Sequence, residues 1–486
     1  MTRRDLIRAC AAAPLLLGAA EKTYQGDWAS LDARPTPQWY PDAKFGVFIH
    51  WGVYSVPAFA PVNVKGETPY AEWYWHSLEE GRKGGKGSKT LEFHNRVYGA
   101  DFQYPSFAPM FRAELYNPDH WADIFVRAGA KYVALTSKHH EGFTLWKNAE
   151  ANRAWGRPWN AVDTGPKRDI LLDLMEAGRA KSLKMGIYYS LYEWYNPLWL
   201  SDKKRYAREH MIPQFKDVVR HAKPSIIFAD GEWEMPSADW GSPEMLAWLF
   251  NESPVAGDVV INDRWGKDTR HKHGGYYTTE YTSGMQKTDR PWEESRGMGF
   301  SYGYNRNESL KDYHTRRELT MMLIDIVSRG GNLLLDIGPA ADGTIPTIME
   351  DRLVAIGDWL RPHGEAIYGT RAWKQTRQWS AGKVPVMEEK EFMSEYNITN
   401  MVDDPPAGYA KVDAFFTAKG NTVYAILPRW PGARVELNDL EARSDAKITM
   451  LETGQTLKWK REGQRISVEM PPRGEAREAY VLKIAI

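Results

Sequence analysis

The sequence predicts an α/β fold, a (β/α)8-like TIM barrel followed by a C-terminal antiparallel β-sandwich. Three observations indicate this. Apolar runs of strand length alternate with amphipathic helical stretches over about 340 residues, the pattern of a parallel sheet covered by helices. Polar residues follow nearly every run, and no glycine-rich phosphate-binding fingerprint follows the first, which favours a barrel over a doubly wound sheet. After about Tyr368 the segments become short, alternating and bounded by turn residues.

The chain begins with a predicted export signal at residues 1–20. Arg3 and Arg4 precede an apolar run, Ala9 to Ala20, that is too short to span a bilayer and ends in small residues suited to cleavage. The pattern resembles a bacterial twin-arginine signal, with an ordinary secretion signal or an uncleaved anchor as alternatives. Export would place the mature chain in the periplasm or outside the cell, without a stable membrane anchor. Cys10, the only cysteine, lies in this segment, so the mature chain would have no thiol for disulfides, catalysis or zinc binding.

The predicted barrel covers residues 22–368. Its apolar runs of strand length are Phe45–Ile49, Tyr132–Thr136, Met185–Tyr189, Ser225–Ala229, Val259–Asn262 and Leu333–Ile337. Its amphipathic helical stretches are Asp169–Ser182, Lys204–His221, Glu244–Asn251, Ser309–Ser328 and Met349–Leu360.

Residues 369–486 form the predicted β-sandwich. Its strands are Trp373–Trp379, Ala414–Thr417, Thr422–Leu427, Ala446–Leu451, Leu457–Trp459, Arg465–Val468 and Ala479–Ile484. We expect this domain to support the barrel, with carbohydrate binding as the alternative.

Composition narrows the partners of the protein. The 63 basic and 63 acidic residues cancel, and no long run of Lys or Arg occurs, so the electrostatic signature of nucleic-acid binding is absent. The chain contains 21 Trp and 25 Tyr, whose flat faces suit the C–H faces of sugar rings. A small sugar-containing substrate fits these counts better than a polyanion.

Polar side chains gather at the carboxyl ends of the predicted strands. The clearest case is the run Ser225–Ala229, which leads directly into Asp230 and Gly231. The others are His50, His139 and His140, Tyr188 and Tyr189, and Asp263 and Arg264. Each alone has an ordinary interpretation as a helix cap or loop residue. Their recurrence on five strands predicts one pocket on one barrel face, and a carboxylate pair in such a pocket suits glycoside hydrolysis.

Six motifs and their order resemble α-L-fucosidases of glycoside hydrolase family 29. They are Lys44–Gly52, Glu72–Tyr74, Lys138–Phe143, Gly165–Asp169, Ala229–Trp233 and Asn262–Gly266, and the likeness extends to Gly331–Pro339. It covers about residues 36 to 372. The resemblance implies a retaining exo-hydrolase that needs no cofactor and releases terminal L-fucose from fucosylated oligosaccharides or glycoconjugates.

The resemblance also implies roles for individual residues. Asp230 matches the nucleophile of the family. The matching sugar-binding positions are His50, Glu72, Trp73, His139, His140, Tyr188, Arg264 and Tyr302. Tyr189 is the alternative to Tyr188, because neighbouring strand residues face opposite ways and only one can enter the cleft.

The resemblance places the general acid/base after the Asn-Asp-Arg segment and well before Tyr302, which favours Glu280 over Glu293, because Glu293 follows a tryptophan in a segment typical of the next barrel strand. Glu293 is the alternative acid/base, or else a buried structural partner of an Arg or His.

Two other functions remain open at this point. A metal-dependent barrel hydrolase would use His50, His139, His140 and Asp230 as ligands, but these four residues form no His-x-His pair or other suitable ligand spacing, and the aromatic content would be unexplained. A catalytically inactive fucoside-binding protein would keep the pocket without turnover. The sequence does not select among α1,2, α1,3, α1,4 and α1,6 linkages.

Overall fold

The computed structural model describes residues 23–286, 288–387, 390, 392–394 and 396–486, so the predicted export signal and Cys10 lie outside the described residues. Eight strands form one sheet: β1 (Phe45–Ile49), β2 (Tyr132–Lys138), β3 (Lys184–Ser190), β4 (Ile226–Asp230), β5 (Val260–Ile261), β6 (Tyr277–Glu280), β7 (Trp292–Gly297) and β8 (Asn332–Ile337). Their order is β5-β4-β3-β2-β1-β8-β7-β6, and the paired strands are parallel throughout.

Helices flank these strands along the chain. In order they are α1 (Trp28–Asp32), α2 (Trp39–Ala43), α3 (Tyr74–Arg82), α4 (Ser88–Val97), α5 (Pro118–Arg127), α6 (Ala149–Trp155), α7 (Ile170–Ala180), α8 (Pro197–Ser201), α9 (Lys203–Tyr206), α10 (Ile212–Ala222), α11 (Ser237–Trp240), α12 (Ser242–Asn251), α13 (Arg316–Ser328), α14 (Thr347–His363) and α15 (Ile398–Val402).

The alternation of side chains along each strand divides the barrel core in two. In β1, Phe48 packs inside the barrel with Tyr188 and Phe228, whereas Val47 and Ile49 pack in the separate core shared with the surrounding helices. Both faces of the sheet are therefore apolar, which explains why the strands appear in the sequence as almost continuous apolar runs.

Several elements differ from the sequence expectation. The run Ser309–Ser328 is not helical throughout: α13 begins only at Arg316, because Thr315 and Glu318 form a capping box. The stretch Lys204–His221 is interrupted by a π-helical segment at Ala207–Met211. The prediction also missed β6, whose Thr and Glu content hides it from an apolar criterion.

The barrel is open on one side, between β5 and β6. No strand pairing joins these two elements in the described chain, and Gly275 N–H donates one hydrogen bond of 3.0 Å to Ile261 O across the gap. We call this gap the seam. Arg264 follows β5 and Glu280 ends β6, so the two residues belong to the segments on either side of it.

The C-terminal strands form two antiparallel sheets. The strands are β9 (Arg371–Trp379), β10 (Val412–Lys419), β11 (Thr422–Leu427), β12 (Arg434–Leu437), β13 (Ile448–Met450), β14 (Thr456–Leu457), β15 (Trp459–Glu462), β16 (Arg465–Glu469) and β17 (Tyr480–Ala485). A six-stranded sheet, β14-β13-β17-β11-β10-β9, and a three-stranded sheet, β12-β16-β15, enclose a separate apolar core. The sequence prediction missed β12.

A segment near these sheets reaches the barrel. Met393 N–H donates a 3.0 Å hydrogen bond to Glu280 O at the end of β6. Within the described residues, no helix is long and apolar enough to cross a membrane.

Candidate active site

Asp230 stands at the carboxyl end of β4, where the chain turns sharply at Gly231. The φ of Gly231 is +75°, and a Cβ there would lie 2.4 Å from Cδ1 of Tyr192. Only glycine fits this left-handed and crowded position. The turn leaves Asp230 8% exposed at the barrel mouth.

Three side chains hold the Asp230 carboxylate. Tyr188 Oη donates to Oδ2 at 2.8 Å, Arg264 Nη1 donates to Oδ1 at 3.0 Å, and His140 Nε2 lies 3.4 Å from Oδ2. Burial acts to raise the pKa of Asp230, but the contact with His140 and the charge of Arg264 outweigh it and hold this pKa well below its usual range. Asp230 is therefore ionised at neutral pH.

Arg264 joins Asp230 to Glu280. Its Nη2 lies 3.1 Å from Glu280 Oε2, while its Nε donates to Thr278 Oγ1 at 2.9 Å. Thr278 in turn donates to Asp263 Oδ1 at 2.7 Å. The Arg264 side chain is fully buried, and its guanidinium therefore holds the two carboxylates, one on each terminal nitrogen.

Glu280 ends β6 and borders an open cleft of about 680 Å³. Tyr302 Oη donates to Glu280 Oε1 at 3.4 Å. The cleft is also lined by Trp73, Trp233 and Phe392, and Trp233 is 39% exposed. Glu280 thus lies between the buried Asp230 pocket and an aromatic outer cleft.

The inner wall of the pocket consists of rings and buried polar groups. His50 stacks on Tyr302 with ring centroids 4.7 Å apart, and its ring centroid is 5.8 Å from that of His139. Glu72 accepts hydrogen bonds from Gly303 N–H at 2.8 Å and from Ser301 Oγ at 3.3 Å. These contacts place the predicted sugar-binding residues from six separate segments around one pocket.

The electrostatics keep the imidazoles of His50 and His140 uncharged. Burial, with the neighbouring His139, lowers the pKa of His140 to about 3 and that of His50 well below its usual value. Burial raises the pKa of Glu72, an effect that His139 opposes. Neutral imidazoles and phenols give directional hydrogen bonds, which suit sugar hydroxyl groups.

Glu293, the alternative acid/base, lies far from this arrangement. It is the second residue of β7, fully buried, and accepts hydrogen bonds from Tyr40 Oη at 3.0 Å and from Tyr132 Oη. Both tyrosines lie at the amino-terminal end of the barrel, opposite Asp230. This position argues against Glu293 as acid/base, and in place of the suggested Arg or His partner it has a pair of tyrosines.

Tyr189, the alternative to Tyr188, also faces away from the pocket. Its Oη donates to Gln214 Oε1 at 2.9 Å and to Met211 O at 3.1 Å, on the helical side of the sheet. Asp263 was predicted to lie with the pocket residues. It instead accepts a hydrogen bond from Thr278, which in turn accepts one from Arg264, so Asp263 helps to hold Arg264 in place.

Sequence reasoning missed two buried carboxyl groups near the pocket. Glu232 is 1% exposed, accepts from Arg270 Nε at 2.6 Å and lines the outer cleft. Asp336 lies 2.6 Å from His50 Nδ1. Both lie inside motifs on which the family resemblance rests, and their presence in those motifs was the one feature of the sequence that could have indicated them. Among the described residues, no group of three His, Cys, Asp or Glu side chains is arranged to hold a metal ion.

Comparisons with known proteins agree with this geometry. A family model described as alpha-L-fucosidase matches residues 12–365, and one described as the alpha-L-fucosidase C-terminal domain matches residues 409–485. The tissue alpha-L-fucosidase of Homo sapiens is 40% identical over 493 residues, covering 97% of this chain and 95% of the relative. An alpha-L-fucosidase of Dictyostelium discoideum is 43% identical over 360 residues, covering 72% and 75%.

Solved structures give the same result. The crystal structure of Thermotoga maritima alpha-fucosidase in complex with fucose is similar to this chain with a TM-score of 0.75 and 33% sequence identity. The match covers 95% of this chain and all of the other, and the same enzyme with a mechanism-based inhibitor gives a TM-score of 0.76.

Proposed function

The chain belongs to the α-L-fucosidase family of glycoside hydrolases, and from this premise we propose that it is a retaining, exo-acting α-L-fucosidase with Asp230 as nucleophile and Glu280 as general acid/base. The single observation that carries the assignment is the Arg264 guanidinium, which contacts Asp230 at 3.0 Å and Glu280 at 3.1 Å. Two carboxyl groups that share one cation lie close enough to act on the same anomeric carbon.

The reaction proceeds by two displacements. Asp230 attacks the anomeric carbon of the fucosyl group while Glu280 gives a proton to the departing glycosidic oxygen, so that a fucosyl-enzyme ester forms and the aglycone alcohol leaves. Glu280 then takes a proton from water, whose oxygen attacks the same carbon and releases Asp230. Each step inverts the carbon, and the product retains the configuration of the substrate.

The surroundings of Asp230 support the nucleophilic role. An attacking carboxylate must be ionised, and the low pKa of Asp230 keeps it so. Tyr188, which donates to Oδ2 at 2.8 Å, fixes the orientation of the carboxylate and leaves Arg264 to hold the other oxygen. Both contacts preorganise the nucleophile before substrate binds.

The remaining predicted residues form the proposed fucose site. His50 and His140 offer neutral ring nitrogens, His139 offers a buried imidazole, Glu72 offers a buried carboxyl group, and Tyr302 offers a ring face. The outer cleft beside Glu280, with the half-exposed Trp233, would receive the aglycone.

The test separates the two carboxyl roles by product stereochemistry. Asp230→Ala with an activated aryl fucoside and sodium azide should give the inverted β-fucosyl azide, because azide enters from the face that Asp230 leaves empty. Glu280→Ala should hydrolyse poor leaving groups about 10²–10⁴-fold more slowly, yet keep most of its rate on activated ones in azide and give the retained α-fucosyl azide. Full activity of the Asp230 variant, or equal loss on both substrate types in the Glu280 variant, would refute the respective role.

Two further measurements address the alternatives. Activity that persists in EDTA would argue against a metal-dependent hydrolase, whereas fucose binding without release would indicate an inactive binding protein.

Export by a twin-arginine route is also proposed, on the strength of Arg3 and Arg4 before a short apolar run. Replacing both arginines by lysine should retain the full-length precursor in the cytoplasm of a bacterial host.

A further inference from the structure

Asp336 and His50 form a buried pair behind the proposed fucose site. Asp336 is the fifth residue of β8 and is 1% exposed, and its Oδ1 lies 2.6 Å from His50 Nδ1. The register of the sheet explains the contact, since Asp336 pairs with Phe48 on β1, two residues before His50. The proposed mechanism assigns no role to Asp336.

The pair has no neighbouring cation to stabilise a carboxylate. Among the described residues, His50 is the only basic side chain within ion-pair distance of Asp336, and Asp336 Oδ2 is buried without a hydrogen-bond partner. Burial and the nearby Glu72 both raise the pKa of Asp336 well above its usual value. An ionised Asp336 would therefore be a buried charge without a neighbouring cation, stabilised only in part by the backbone N–H of His50, and such a charge is costly.

The charges around His50 also disfavour an imidazolium. Its ring packs against Tyr302, Tyr188 and His139. Burial and the two neighbouring histidines lower its pKa, and the attraction of Asp230 only partly opposes them. Proton transfer from Asp336 to His50 would thus create two poorly solvated charges in place of one neutral hydrogen bond.

We propose that Asp336 is a protonated carboxylic acid that donates its hydrogen bond to His50 Nδ1 and so fixes the tautomer in which Nε2 carries the proton. His50 then presents an N–H donor to the pocket. The opposite assignment, an Asp336 carboxylate accepting from Nδ1–H, would present Nε2 as an acceptor. Asp336 is thus a positioning residue that decides which kind of hydrogen bond His50 offers.

The consequence for the substrate rests on the proposed function. A donor at His50 requires an oxygen acceptor, so the sugar hydroxyl at this position is held as an acceptor and remains free to donate its own proton elsewhere. Because the Asp336–His50 pair is neutral, it adds no negative charge beside Asp230, whose carboxylate Arg264 contacts at 3.0 Å.

The proton positions can be measured on the resting protein without turnover. In protein labelled with ¹⁵N-histidine, the His50 signals, assigned with His50→Gln, should show a non-protonated Nδ1 and a protonated Nε2. Infrared difference spectra of wild type against Asp336→Asn should show the loss of a protonated carboxylic-acid carbonyl band. A protonated Nδ1, or a carboxylate band in place of the acid band, would overturn the proposal.

Kinetics with an aryl fucoside then test the positioning role. Asp336→Asn, which can still donate to Nδ1, should keep KM and kcat within about threefold and leave the pH profile unshifted, since no charge is removed. Asp336→Leu should raise KM about tenfold or more through the loss of one oriented hydrogen bond. Equal losses in both variants, or a shifted pH profile in the Asn variant, would contradict the proposal. A wild-type protein without fucosidase activity would refute the proposed function alone and leave the NMR and infrared results standing.

Discussion

Replacement of Arg264 by Met should weaken both the fold and the reaction, in a way that depends on pH. The substitution keeps much of the side-chain volume but removes the contacts of 3.0 Å to Asp230 and 3.1 Å to Glu280. Removal of one partner from a buried ion pair typically costs about 3–5 kcal/mol. Because a protein has about 5–15 kcal/mol of stability, the variant should fold but melt at a clearly lower temperature at pH 7.

The pH dependence follows from Asp230. In the wild type its lowered pKa contributes stability that is present above the pKa of the unfolded chain and is lost as the pH falls through the folded pKa. In Arg264→Met the dominant remaining influence on Asp230 is burial, which raises this pKa. Protonation of Asp230 in acid therefore removes the uncompensated buried charge and reduces the stability loss of the variant. The difference in melting temperature between wild type and variant should therefore shrink from pH 7 to pH 4.5.

The assay pairs thermal unfolding at the two pH values with kcat/KM on an aryl fucoside. We expect kcat/KM to fall about 10²-fold or more, and its acidic limb to move to higher pH, because Asp230, the proposed nucleophile, must be ionised to attack. Arg329→Met is a matched control, since Arg329 is 4% exposed and pairs with Asp325 at 2.9 Å, near the other end of the barrel. It should lose stability and keep the wild-type pH profile. A pH-independent stability loss in Arg264→Met would refute the reasoning.

Three further substitutions, two of them paired with a control substitution, test the site. Tyr188→Phe removes the donor to Asp230 Oδ2 and should lower kcat about tenfold, whereas Tyr189→Phe should leave kinetics unchanged; equal effects in a progress-curve assay would refute the assigned orientations. Glu293→Gln should keep kcat within about twofold. Burial raises the pKa of Glu293 to about 7. As the pH rises from 4.5 to 7, wild type therefore loses about 3 kcal/mol of stability that a glutamine does not lose. Melting curves should show the variant gaining stability relative to wild type through this window. Gly231→Ala should cost far more activity and stability than Gly66→Ala, because both have positive φ but only Gly231 is crowded by Tyr192; similar losses would contradict the steric argument.

Much of the barrel could be predicted because its strands are buried on both faces. The first strand was predicted with the bounds observed, and Asp230 was placed at the end of β4 from an apolar run alone. An apolar run does not reveal a strand that is buried but made of polar residues. Strand β6 contains Thr278, Thr279 and Glu280, all polar and largely buried, and their hydrogen bonds to other segments are invisible in a linear pattern.

The candidate site shows the same limit. The period of two along β3 requires Tyr188 and Tyr189 to face opposite ways but does not say which faces inward. The sequence order favours Glu280 over Glu293 without excluding Glu293, since the structural distinction between them is a contact with Arg264 at one end of the barrel and with two tyrosines at the other. Asp336 appeared only as part of a motif, because its partner His50 is 286 residues away.

The seam between β5 and β6 bears on how such a site could evolve. A closed barrel fixes the stagger of every strand relative to its neighbours, so an insertion in one strand would disturb all the others. At the seam one hydrogen bond between Gly275 and Ile261 replaces a ladder, and the chain from Arg264 to Glu280 can lengthen or shorten while the other strand pairings stay in register. The proposed catalytic acid, Glu280, can then change its distance along the chain from Asp230 while keeping its distance in space. Sequence separation is therefore a poor guide to this residue, and the shared arginine is a better one.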